Sequence, residues 1–242
     1  MTVHQSQHAK GSVAPAPAGL PFIVQRAVTW FTGGALVARS QLCLQLGVAR
    51  AVGQRWLDYD TLAGSSCYVA FTEQDRDLDR RYRQVLGRYK TTAGKASDFR
   101  LLVQSAVATA GHAAAANVCL ADILLEPVIH AISSGTRVIF VEGAIPLLDA
   151  ADLSATRRFN MQLITLTDTG ATIVVLDDLE DRRHWQVWKR PPGLRLRLGL
   201  GTGPRELTLC ATADPFTYGA DAALLRMGED GVFDRLPYPP YK

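Results

Sequence analysis

The residues with the clearest chemical potential are Gly33, Gly34, Ala38, Arg39 and Ser40, which follow a short β-prone run from Val28 to Phe31. A phosphate-binding loop has the form Gly, four residues, Gly, Lys, then Ser or Thr. The same spacing here gives Gly33, four residues, Ala38, Arg39, Ser40. In such a loop backbone N–H groups cradle phosphates, the basic side chain neutralises them and the hydroxyl reaches magnesium. The frame is present with two chemically important positions changed. Ala38 adds a Cβ where the backbone must wrap a phosphate. Arg39 is longer, planar and fork-shaped where lysine would offer a compact ammonium. Carboxylates follow the other candidate strands: Glu73 after Phe71, Glu142 after Val141, and Asp177 and Asp178 after Leu176. A phosphate loop and several carboxylates at strand ends could make a magnesium–nucleotide site. The plain alternative is that acids end strands because loops are polar.

Those residues need an alternation of strands and helices to bring them to one edge. Residues 1–20, rich in Ala, Pro, Gly, Ser, Gln and His, read as a flexible N-terminal arm. Residues 237–242 read as a C-terminal tail, and 21–236 as one domain. Periodicity predicts a helix from Ser40, with Ser40 as its N-cap, to Val52. A buried strand follows over Cys67–Phe71, then a charged helix over Glu73–Leu86, a strand over Asp98–Val103, and a loop over Gly111–Asn117. The pattern continues with a helix over Val118–Ser133 stopped by Gly135, a strand over Arg137–Val141, a helix over Ser154–Thr167 capped by Ser154, and a strand over Ala171–Leu176. From Val187 the texture alternates, with Leu194, Leu196 and Leu198 against Arg195, Arg197 and Gly199, and Gly228–Gly231 makes a hairpin turn. The expected class is α/β: a mostly parallel central sheet flanked by helices, with a small antiparallel C-terminal section.

Composition narrows the partners. A net charge of +3 in 242 residues makes no bulk case for nucleic acid. Cys43, Cys67, Cys119 and Cys210 are far apart in apolar runs, the pattern of reduced cytosolic thiols rather than a zinc site. The N-terminus has no basic start leading into an apolar core, and no run approaches about 18 apolar residues, so the expectation is a cytoplasmic protein without a membrane span. The stretch Arg182–Arg190 interleaves bases with Trp185 and Trp188, a combination suited to single-stranded nucleic acid, with Arg190 closing it; a loop whose tryptophans pack on the domain is the alternative. The arginines between Arg76 and Arg88 are interleaved with Asp77 and Asp79, as on a solvated or subunit-facing helix.

Several strings resemble the RepA-type hexameric replicative helicases of plasmids, which are RecA-like P-loop ATPases. Ser40-Gln-Leu-Cys-Leu-Gln-Leu46 is similar to the family's helix after the P-loop. Ser66 to Asp75 with Leu78 to Leu86 resembles its strand, acid and Arg-rich helix, and Arg137 to Glu142 its Walker B strand. Asp168 to Leu176 resembles the strand that ends in His-His in the helicases, and Thr212 to Gly219 the closing Lys-x-Asn-Tyr-Gly segment.

The resemblance implies a RecA-like P-loop NTPase fold, with ATP and magnesium as cofactors. It implies Glu73 as the base that activates water, Ser40 and Glu142 at magnesium, and Arg205 as a trans-acting arginine finger. It also implies a homo-oligomeric ring or filament that meets single-stranded DNA or replication proteins. Departures from the pattern fall in the site: Ala38 for glycine, Arg39 for lysine, Glu142 for aspartate, Asp177 and Asp178 for the histidine pair, and Thr212 for lysine. Phosphoryl transfer rests on positioning and electrostatics, so these exchanges imply a degenerate member with weak or absent hydrolysis. An active ATPase with Arg39 in the lysine's place, and a non-catalytic interaction scaffold, are the two alternatives.

Overall fold

The computed structural model describes residues 22–33, 36–72, 75–149, 153–176, 195–201, 203, 205–212 and 221–237. The N-terminal arm and the end of the C-terminal tail lie outside them. Strand β1 (Val28–Thr32) leads to helix α1 (Leu36–Ala51), then β2 (Ser66–Phe71), α2 (Asp75–Arg88), β3 (Phe99–Gln104), α3 (Ala106–Ala116) and α4 (Leu120–Ser133). Then come β4 (Val138–Glu142), α5 (Ala144–Asp149), α6 (Leu153–Thr167) and β5 (Thr172–Leu176). The described part closes with β6 (Arg195–Leu200), β7 (Glu206–Thr212), β8 (Asp221–Met227) and β9 (Phe233–Leu236). All the strands join one sheet in the order β3-β2-β4-β5-β1-β6-β7-β8-β9.

The sheet is mostly parallel because helices cover both of its faces. Every residue of β1, β2, β4 and β5 is buried, which explains their continuous apolar runs. Side chains alternate between two cores. Tyr68, Ala70, Phe140 and Val174 pack under α1 and α2, while Val69, Ile139, Val141 and Val175 pack under α4, α5 and α6. Helix α1 is buried without a break from Ala38 to Arg50. It lies close enough to β3 that a Cβ on Gly47 would stand 2.3 Å from the Phe99 ring. The same helix holds the far end of the chain. The Gln45 amide donates to the Phe233 carbonyl at 2.7 Å and accepts from the Phe233 N–H at 3.2 Å.

Topology singles out the carboxyl ends of β2 and β4. From β2 the chain leaves over one face through α2 toward β3; from β4 it leaves over the other face through α5 and α6 toward β5. Neighbouring strands whose connections part in this way define a switch point, where open α/β sheets take ligands.

The structure corrects the sequence reading in places. Ser40 does not cap α1, which begins at Leu36; the hydroxyl is turned inward instead. Residues 111–117 are not a loop: alanine has the highest helix propensity, Ser105 caps α3 by accepting from the Ala108 N–H at 3.1 Å, and Asn117 ends it in the left-handed region. Ser154 lies inside α6, one residue past its start. Strand β6 pairs parallel with β1, so the antiparallel section starts at β7. The Gly228–Gly231 turn joins β8 to β9 as expected, with Gly228 donating to the Val232 carbonyl at 2.9 Å.

Gly143, straight after β4, has φ +78, and a Cβ there would stand 2.4 Å from the Phe71 carbonyl oxygen. Gly143→Ala is therefore expected to lower stability by about 2–4 kcal/mol, from left-handed strain plus overpacking. It should read as a lower denaturant midpoint at unchanged slope.

Candidate functional site

Register sets the level of the site. Ala70 pairs with Glu142, Glu142 with Leu176, Leu176 with Phe31, and Phe31 with Leu196. The residues that follow this row emerge together at the carboxyl edge, and Gly33 is among them. Gly33 has φ +75, and a Cβ on it would meet the Leu198 carbonyl oxygen at 2.5 Å. Glycine is thus required where the chain leaves β1 against β6.

Tyr68, Phe140 and Glu142 share the face of the sheet that looks toward α1, since side chains two apart on a strand point the same way. The Tyr68 and Phe140 rings stack at 6.0 Å. The Tyr68 hydroxyl oxygen lies 2.6 Å from Glu142 Oε2 and 3.0 Å from Ser40 Oγ. A phenol has one proton and a carboxylate can only accept, so Tyr68 donates to Glu142, and the Ser40 hydroxyl turns its own proton to the phenol oxygen. All three are buried: Ser40 and Tyr68 expose 0% and Glu142 5%. One hydroxyl therefore joins α1, β2 and β4 across the switch point.

Around this bridge the electrostatics are those of a closed interior. Burial, then the Glu142 carboxylate, then Cys43, holds the Tyr68 phenol well above its ordinary value. Cys43 is one turn beyond Ser40 and Arg39 on α1. Its thiol is also held well above its ordinary value, first by burial and then by Glu142, while Arg39 pulls it down. A cation and an anion thus both act on this thiol. Arg39 itself exposes 0%.

The donor set can be compared with what magnesium requires. Mg²⁺ takes near-octahedral oxygen geometry and keeps several of its waters. Ser40 has no accessible surface, and a Glu142 oxygen is engaged by the phenol. As arranged, this pair does not fit a hydrated magnesium ion.

The other candidates are placed as follows. Ala38 is buried in α1. Arg205 is exposed, at φ 62, in the turn from β6 to β7, on the same edge of the sheet as Gly33. Thr212 ends β7, opposite Arg195. Gly34, Glu73, Asp177, Asp178, Trp185, Trp188 and Arg190 lie outside the described residues. On α2, Arg80 pairs with Asp77 at 3.1 Å, Arg83 pairs with Asp79, and Arg88 pairs with Asp234 of β9. Those charges are engaged with neighbours in the fold.

Tyr68 is the residue that sequence reasoning missed. The signal was a lone tyrosine in a wholly buried strand, whose hydroxyl must find a partner. No protein-family model matches the chain, and no curated protein matches it either.

Tyr68→Phe should lower stability by about 1–3 kcal/mol, because it leaves the buried Ser40 and Glu142 without the shared hydroxyl. A denaturant midpoint equal to that of the unaltered protein would contradict the bridge. Stability should also fall with rising pH. Burial pushes the Cys67 thiol up to about 11, and Cys43 and Tyr68 are raised as well. The unfolded chain releases thiol protons from about pH 8.5 and phenol protons from about pH 10. Above about pH 9 the unfolded state thus binds fewer protons than the native state, and stability must decline. Urea midpoints between pH 7 and pH 10.5 measure this; a flat profile would refute it.

Proposed function

We propose that this chain is a RecA-like, RepA-type protein of DNA replication or plasmid maintenance whose nucleotide site has closed and no longer turns over ATP. The observation that carries the reading is the Tyr68 bridge between Ser40 and Glu142. The two positions that would hold magnesium are tied to each other by a phenol, and Arg39, next to Ser40 on α1, is fully enclosed.

Support for the P-loop frame comes from the order of elements. A glycine-led turn follows the buried strand β1 and opens α1, and the acid-bearing β4 lies beside β2 at a topological switch point. Support for the loss of turnover comes from chemistry. A phosphoryl-transfer site works by aiming fixed charges at the transferring group, and each charge must reach it. Ala38, Arg39 and Glu142 each alter that aim, and Tyr68 stands between Ser40 and Glu142. The role in replication, the homo-oligomeric ring or filament, and single-stranded DNA or replication proteins as partners rest on the resemblance to the helicases. Arg205, exposed at the carboxyl edge, is the side chain that would serve a neighbouring subunit.

The test is ATP turnover by the purified protein with and without single-stranded DNA. Hydrolysis should stay at background, and the triple variant Ala38→Gly, Arg39→Lys, Tyr68→Phe should gain binding of a fluorescent ATP analogue. Turnover on the order of a few per second by the unaltered protein, near ordinary enzyme rates, would overturn the reading.

A further inference from the structure

The opposite, amino-terminal edge of the sheet carries a second constellation. Arg26 lies two residues before β1, Arg50 lies in the last turn of α1, and Arg137 immediately precedes β4. All three line one cleft of about 430 Å³, together with Gln25 and Thr169. Among the described residues, no carboxylate lines it.

Arg50 is the informative member. It exposes 5%, and its buried Nε has no hydrogen-bond partner among the described residues. Its place in the last turn of a helix gives a modest dipole benefit, which does not offset burial of an uncompensated guanidinium. Burial lowers its pKa, the mark of a charge kept at a cost. The surroundings favour its position: Gly64 leaves the Arg50 guanidinium room, since a Cβ there would stand 3.1 Å from Nη2. The other two arginines are held by their backbone or by the loop opposite. The Arg26 N–H donates to Thr172 Oγ1 at 3.0 Å, with Arg26 itself at φ 55, and Arg137 Nη1 donates to the Thr169 carbonyl at 3.2 Å.

We propose that this cleft is a binding site for a small phosphate-bearing ligand, with the Arg50 guanidinium at its floor and Arg26 and Arg137 at its rim. Guanidinium groups match phosphate oxygens in pairs, so a phosphomonoester or pyrophosphate group neutralises Arg50 and satisfies its N–H donors at once. The volume leaves room for a small moiety attached to the phosphate. The site is separate from the loop after β1 and does not depend on the reading of that loop.

Inorganic phosphate and pyrophosphate are the probes, followed by calorimetry and by thermal denaturation, against sodium chloride at matched ionic strength. The unaltered protein should bind pyrophosphate saturably and melt at higher temperature with it. Arg50→Gln should lose that increment while melting no lower than the parent without ligand, because the substitution removes a buried, uncompensated charge. Arg137→Gln, at an exposed position, keeps the test open should Arg50→Gln fail to fold, and should weaken pyrophosphate binding about tenfold or more. No increment over matched chloride in the unaltered protein, or an equal increment in the variant that folds, would overturn the proposal.

Discussion

The structure depends on one buried hydroxyl. Tyr68 stands between Ser40 on α1 and Glu142 on β4, so a single side chain of β2 links the first helix to two neighbouring strands of the sheet. Helix α1 is enclosed from Ala38 to Arg50 and also holds β9 through Gln45. A shift of α1 would therefore be felt from the switch point to the last strand. A buried polar network of this kind is costly when half satisfied and rigidifying when complete. Here the partners complete one another, and this is what supports reading the site as closed.

That closure changes the meaning of the loop frame. The spacing from Gly33 to Ser40 organises the chain: it ends β1, turns against β6 and starts α1. The same residues, once folded, bury the basic side chain and turn the hydroxyl inward. Fold and chemistry are separable in this way because topology needs only the turn, whereas phosphoryl transfer needs charges aimed at solvent-accessible phosphates. The arginine cleft on the opposite edge has the reverse character, with an uncompensated charge and open volume.

Much of the fold was legible in the sequence. Strands β2, β4 and β5 are covered on both faces, and such strands write themselves as unbroken apolar runs. Helix boundaries were less legible. A serine before an apolar helix suggests a cap, but Ser40 bonds to Tyr68 from inside α1, and tertiary contact overrode the local preference. Small residues between 111 and 117 suggested a loop, whereas alanine-rich α3 is capped at both ends. The site was half legible: Ser40 and Glu142 were marked by spacing and by position at a strand end. Tyr68 was not, because its role follows from the β2–β4 register, and no local pattern encodes which residues of two distant strands stand side by side.

The central claim, that Tyr68 closes the site, is tested most directly by following the Tyr68 hydroxyl proton and ring signals by NMR during titration with magnesium and ATP. The account predicts a slowly exchanging hydroxyl proton whose signal is unchanged at millimolar nucleotide. Loss of that proton signal, with the Tyr68 ring shifting saturably as nucleotide is added, would contradict it.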